Sequence, residues 1–172
     1  PSKHTAEFLD WFTYSENTID GRSKKKAYTF MQSNLVAEED VGTTKALQQI
    51  HAYLFGGLYE FAGQIRSKTI SKANFTFCLA QYLHNALEAI DKMPETTFDE
   101  IVDKYVEMNV AHPFMEGNGR STRIWLDLIL KKRLGRCIDW SRIPKNDYLN
   151  AMIGSSANSD AIRALLYQAL TD

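Results

Sequence analysis

The chain has 172 residues, of which 44% are hydrophobic and 24% charged, and 20 Lys and Arg stand against 21 Asp and Glu for a formal net charge of −1. These are the proportions of one globular domain, and they exclude a disordered chain, a collagen-like fibre and a strongly basic nucleic-acid binder. Two cysteines, Cys78 and Cys137, are too few for a disulfide scaffold, and no apolar run approaches the roughly 20 residues a membrane helix needs. The polar opening Pro1-Ser2-Lys3-His4 carries no secretory signal, a first residue other than Met reads as a trimmed chain, and a reducing cytoplasm is the expected compartment.

Residues 1–40 read as an N-terminal helix and a polar loop packing on the core, and 41–172 as the main domain. The loop is placed at Asn17 to Lys26, where Asp20-Gly21 signals a turn and Lys24-Lys25-Lys26 a solvated face. From Thr43 the period becomes helical, with Leu47, Ile50, Leu54 and Leu58 on one side and Gly56-Gly57 weakening the end. Gly63 to Cys78 changes period: Ile65 between Gln64 and Arg66, and Phe75-Thr76-Phe77, predict two short strands joined by a loop around Lys68 to Ala73. Leu79, Tyr82, Leu83, Ala86, Leu87 and Ile90 predict the next helix, which Pro94 punctuates.

Thr97-x-x-Glu100 reads as a capping box, and Phe98, Ile101, Tyr105, Met108 and His112 follow at spacings of three and four. His112 therefore closes a buried stripe, just before Pro113 ends the helix. Ile124 to Lys132 is a nearly continuous apolar helix with Lys131-Lys132-Arg133 and Gly135 at its end. Two more helices are predicted, over about Lys145 to Ile153 and Asp160 to Leu170. The fold class is all-α with one small β-hairpin.

The chemistry concentrates in His112-Pro113-Phe114-Met115-Glu116-Gly117-Asn118-Gly119-Arg120-Ser121-Thr122-Arg123. A Gly-Asn-Gly turn leading into a helix can aim several N–H groups at one anion. Arg120 and Arg123 share a face of the first helical turn, where each opposes the helix dipole by about 0.3–1 kcal/mol. An anion between them converts that cost into binding, and guanidinium forks suit phosphate oxygens. Glu116 is a lone carboxylate beside this site, a conflict of sign that a bridging Mg²⁺ resolves. His112, with an ordinary pKa of about 6.5, suits proton abstraction near neutrality. Thr122 stands where a dinucleotide fingerprint needs its third glycine, and no strand precedes the turn, so a Rossmann site is rejected.

These twelve residues resemble the signature of the Fic family, His-Pro-Phe-x-(Asp/Glu)-Gly-Asn-Gly-Arg-x-x-Arg, and all nine specified positions match. The resemblance extends through Phe61-Ala62-Gly63-Gln64-Ile65-Arg66 and Ile70-Ser71-Lys72, similar to the family's flap hairpin, and covers roughly Val41 to Leu170. It implies a protein adenylyltransferase of the small single-domain bacterial type, toxin-like in kind, that moves AMP from ATP to a Tyr, Thr or Ser hydroxyl. His112 would be the base, Glu116 the Mg²⁺ ligand, and the Gly117-Asn118-Gly119 backbone with Arg120 and Arg123 the phosphate cradle. Phe114 would point inward and fix the loop. The hairpin would clamp a target protein by strand addition, with Ile70, Ser71 and Lys72 contacting target or nucleotide. Tyr148 and Met152 are candidates for the adenine pocket, with core packing as the alternative. The resemblance admits a topoisomerase subunit as target, though no residue names it, and implies no membrane and no direct nucleic-acid contact. Gly119 matters, because Doc-type relatives carry Lys there and act as kinases.

The alternatives are a nucleotide-binding interaction module without turnover and a transferase of another phosphate-containing group. Many relatives carry an inhibitory helix patterned (Ser/Thr)-x-x-x-Glu-(Gly/Asn). None follows the domain here, and Glu16-Asn17 fails because Phe12 stands where Ser or Thr is required. The expectation is that a removed C-terminal segment or another chain supplies it. Arg120 to Arg136 holds six basic residues against Asp127 alone, a net +5, so the remaining chain carries −6.

Overall fold

The structure is a computed structural model that describes residues 22, 25–27, 29–30, 33–72 and 74–171. The expected helix before Asn17, the Phe12 and Glu16-Asn17 positions and the Asp20-Gly21 turn lie outside the described residues. Where the loop was expected to reach Lys26, residues 25–27 are helical, as are 29–30. Lysine is a good helix former, and Ala27 and Phe30, three apart, are both in the core. Lys26 Nζ donates to the Gly56 carbonyl at 2.5 Å, and Phe30 meets Tyr53 edge-on.

Six helices and one hairpin follow: α1 (Thr44–Phe55), β1 (Ser71–Lys72), β2 (Phe75–Thr76), α2 (Ala80–Asp91), α3 (Phe98–Ala111), α4 (Asn118–Leu134), α5 (Lys145–Gly154) and α6 (Asp160–Gln168). Short 3-10 turns occupy Glu38–Asp40 and Trp140–Arg142. Helix α4 is the axis, packed against α3 on one side and α1 on the other, while α2 covers α3 and α1, and α5 pairs with α6. This position explains its sequence. Ile124, Trp125, Leu126, Ile129 and Leu130 are all buried, so the middle of α4 is enclosed by its neighbours. Among the described residues no helix is long and apolar enough to cross a membrane.

The caps follow their signals. The Ala46 N–H donates to Thr43 Oγ1, and the Thr97/Glu100 capping box forms in both directions. Helix α4 ends on Gly135 at φ +67°. Helix α1 stops at Phe55, so Leu58 falls outside it: Gly56 caps the end and Gly57 turns left-handed at φ +79°. Leu79 and Tyr82, expected on the buried face of α2, are exposed, and only Leu83, Leu87 and Ile90 of that stripe reach the core. Leu170 leaves α6 and bridges to Ile138.

The hairpin is shorter than expected and shifted along the chain. Ser71 pairs with Thr76 and Lys72 with Phe75, so β1 occupies part of the expected loop and Ile65 belongs to no strand. The cause is the backbone at Arg66, whose N–H donates to the Pro113 carbonyl at 2.9 Å instead of to a partner strand. A second tie fixes the angle between α3 and α4. Glu95 accepts from the buried Lys104 at 3.0 Å and from both Nε and Nη2 of Arg133 at 2.9 and 2.6 Å.

Candidate active site

His112 is the C-cap of α3, in the left-handed region at φ +48°, and its N–H still donates to Met108. It is the one non-glycine residue with positive φ among the described residues. Turning the chain there sends residues 113–117 across the end of α1 before α4 begins. The imidazole stacks on Phe77, just beyond β2, at 3.7 Å between centroids and 9° between planes. Burial, then the cations of Lys72 and Arg66, lower its pKa to about 4. The Asn109 carbonyl pulls the other way, although Nδ1 makes no hydrogen bond of ordinary geometry. The ring is neutral at physiological pH.

The loop is held from behind by a residue the sequence reading passed over. His51 of α1 is fully buried, with Nδ1 accepting from the Gly63 N–H at 2.8 Å and Nε2 against the Glu116 carbonyl at 2.8 Å. Because Nδ1 accepts, Nε2 carries the proton and donates. Its ring stacks on Phe114 at 3.8 Å, and Phe114 is fully buried. The Asn118 side chain closes the turn: Oδ1 accepts from the Phe114 N–H at 2.8 Å and Nδ2 donates to the Phe114 carbonyl at 2.7 Å. Asn118 therefore spends its side-chain amide on the loop.

Gly117 is the N-cap of α4 at φ +81°, and a Cβ there would lie 2.4 Å from Phe55 Cε2. Only glycine supplies this close approach. Asn118 and Gly119 are already helical, so the expected anion nest is the α4 N-terminus itself. A Cβ on Gly119 would come within 3.2 Å of Arg123 Nη1, so glycine leaves the guanidinium its space.

These groups border one cavity of about 190 Å³, lined by Phe55, Tyr59, Lys72, His112, Glu116 and the first turn of α4 with Arg120 and Arg123. Among the described residues, three cations and a helix N-terminus meet one carboxylate, Glu116. A larger hollow of about 500 Å³ between α3 and α6 lacks this character, because its one lining cation, Arg163, already bonds Asp99 and Asp103 at 2.9 and 2.5 Å.

Behind Arg123 lies an aromatic wall. Its guanidinium sits 5.7 Å from the Tyr148 ring centroid and 6.0 Å from that of Trp140. The Tyr148 hydroxyl hydrogen-bonds that of Tyr105, and burial together with Tyr148 raises the Tyr105 pKa well above its ordinary value. Asp127, one turn beyond Arg123, accepts from the Ile138 N–H and from Trp140 Nε1, both at 2.9 Å. Both bonds and Arg123 favour its charge, yet complete burial outweighs them and pushes its pKa to about 7.

His112, Glu116, Gly117, Asn118, Gly119, Arg120, Arg123 and Lys72 thus come together at one cavity. Ile70 and Ser71 do not line it: the Ile70 carbonyl accepts from the Phe77 N–H and Ser71 faces Thr76 across the hairpin. Tyr148 and Met152 are 3% and 8% exposed and do not line it either. His51, Phe55 and Tyr59 were missed. The available signal was a histidine inside the 47, 50, 51, 54 stripe of α1, where an apolar residue would pack more cheaply.

A sequence model of the Fic/DOC family matches residues 42–130, just over half of the chain. The chain is 33% identical over 140 residues to the protein adenylyltransferase VbhT of Bartonella schoenbuchensis, covering 73% of this chain and 29% of that protein. It is 25% identical over 143 residues to a protein adenylyltransferase of Bartonella henselae, covering 68% and 26%. The match thus spans less than a third of either relative. Among solved structures, the BepC protein of Bartonella tribocorum with bound AMPPNP superposes with a TM-score of 0.77 at 19% identity, over 89% of this chain and 84% of that one. The N-terminal Fic domain of a Bartonella quintana Bep effector with bound ADP gives 0.76 at 18% identity, over 89% and 83%. On the family match over residues 42–130, the chain belongs to the Fic/DOC family.

Proposed function

We propose that the chain is a protein adenylyltransferase, transferring AMP from ATP to a hydroxyl of a target protein. One observation carries this reading: a neutral, half-buried histidine borders the same small cavity as two arginines, a lysine and the N-terminus of α4. The names of the relatives and the nucleotides in the two Bartonella structures support the same activity.

The helix amides with Arg120 and Arg123 would hold the polyphosphate, Arg123 taking its far end. His112 would accept the proton of the incoming hydroxyl as its oxygen bonds to the α-phosphorus. The bond from that phosphorus to the bridging oxygen breaks, and pyrophosphate leaves. A bound triphosphate offsets the Lys72 charge and raises the His112 pKa from about 4 toward the working range.

Glu116 fits Mg²⁺ in a particular way. Among the described residues it is the one carboxylate lining the cavity, and no three His, Cys, Asp or Glu cluster to bind a metal by themselves. A cation that needs one carboxylate and several phosphate oxygens suits this set. When bound, the ion would neutralise phosphate charge. The target would pair with the hairpin, a sheet of two strands among the described residues.

Incubating the protein with α-labelled or γ-labelled ATP and a cell lysate tests the reaction. Label should reach protein from the α position only, and His112→Ala should abolish it while nucleotide still binds. Transfer from the γ position alone overturns the reading.

A further inference from the structure

Arg66 is buried, and its guanidinium donates wholly to backbone. Nε bonds the His112 carbonyl at 2.7 Å, Nη1 the Lys68 carbonyl at 2.7 Å, and Nη2 the carbonyls of Cys78 at 2.6 Å and Ala111 at 2.9 Å. None of these partners is a carboxylate. A buried cation without a counter-ion is costly, and four oriented carbonyl dipoles must replace the water it lost. Two of them belong to the end of α3, where the helix dipole favours positive charge and where α3 has no basic residue of its own.

The bonds reach three segments: the end of α3, the entry to the hairpin and its exit. Main-chain bonds follow the same path, from Arg66 N–H to Pro113 and from Cys78 N–H to Val110. His112 sits at this junction with φ +48°, a conformation that costs about 1–2 kcal/mol and persists only where its surroundings over-determine it. Its backbone is held from α3 while its ring is stacked on Phe77 of the hairpin. Arg66 is the side chain that bonds both sides.

We propose that Arg66 is the positioning residue of this site: by gripping the carbonyls of Ala111 and His112 together with those of Lys68 and Cys78, it fixes the hairpin and the histidine in one relation. A target strand laid on the hairpin then presents its hydroxyl to a ring already in place. The inference rests on the reading of His112 as the base. It assigns Arg66 no contact with nucleotide, since the cavity does not include it.

The test uses Arg66→Met and Arg66→Lys. Three quantities are read: label transferred from α-labelled ATP to lysate protein, affinity for Mg²⁺–AMPPNP by calorimetry, and the His112 titration midpoint by NMR. A misplaced reacting group costs about 100-fold in rate, so transfer should fall about that much while AMPPNP affinity stays within about threefold. The His112 midpoint should rise in Arg66→Met, which removes a nearby cation, and stay low in Arg66→Lys, which keeps the charge but loses the fork. Transfer within about fivefold of the parent, or affinity falling as far as rate, overturns the proposal. If Arg66→Met does not fold, Arg66→Lys alone decides it by its rate against its affinity. A His112→Ala control that retains transfer refutes the base reading, whereas the midpoint and the backbone amide shifts of the hairpin still judge Arg66.

Discussion

Replacing His51 with phenylalanine tests whether the loop from His112 to Gly117 is held from the helix behind it. The ring size and the stack on Phe114 are kept, so little is lost in packing. What goes are two bonds, from the Gly63 N–H to Nδ1 and from Nε2–H to the Glu116 carbonyl, both 2.8 Å long. Each backbone group left without a partner costs about 1–3 kcal/mol, and the Glu116 carbonyl recovers part of that from water because Glu116 borders the cavity. A net loss of about 2–4 kcal/mol follows, and at about 2–4 °C per kcal/mol the Tm should fall by about 5–15 °C. The freed carbonyl precedes Gly117, so the amides of the first turn of α4 lose their aim and AMPPNP affinity should drop about tenfold. Circular dichroism melting and calorimetry read the two effects. A Tm within about 2 °C of the parent with unchanged affinity would refute the reasoning. The same geometry fixes a pH dependence. Burial lowers the His51 pKa below 6.5, so its contribution to stability is fully present above that value and is lost as pH falls through the folded pKa. The phenylalanine variant lacks this acid-sensitive step.

Asp127 works in the opposite direction. Its pKa is about 7 in the fold against 3.8 ordinarily, so folding takes up a proton across that window and its contribution to stability declines as pH rises through it. Asp127→Asn offers its carbonyl to one of the Ile138 and Trp140 donors and should flatten the fall in Tm between those pH values; an unchanged slope means that Asp127 is ionised throughout. Gly117→Ala should destabilise the fold and abolish AMPPNP binding, because φ +81° is unfavourable for alanine and the new Cβ meets Phe55 at 2.4 Å. A stable variant that binds AMPPNP normally would show that α4 can shift without cost.

The stretch from His112 to Arg123 was legible because its chemistry is contiguous: a helix end, a turn and a helix start present their polar groups to one point whatever else the chain does. The helices were legible for a related reason, since caps such as Thr97/Glu100 and Gly135 act locally. What the sequence hid is whatever depends on distant backbone. Asn118 reads as a phosphate-loop residue, yet its amide is consumed by Phe114. Ile65-Arg66 alternates like a strand, but the alternation records a guanidinium turned inward onto carbonyls as far as 46 residues away. His51 reads as an apolar position filled by a polar residue, because its partners are a carbonyl 65 residues on and an amide 12 residues on, neither of which has a side-chain signature. Two of the site's controls therefore act on main-chain atoms, and main-chain atoms are the same at every position. Residues of a contiguous motif carry a side-chain signature; a buried polar residue that satisfies distant carbonyls carries none.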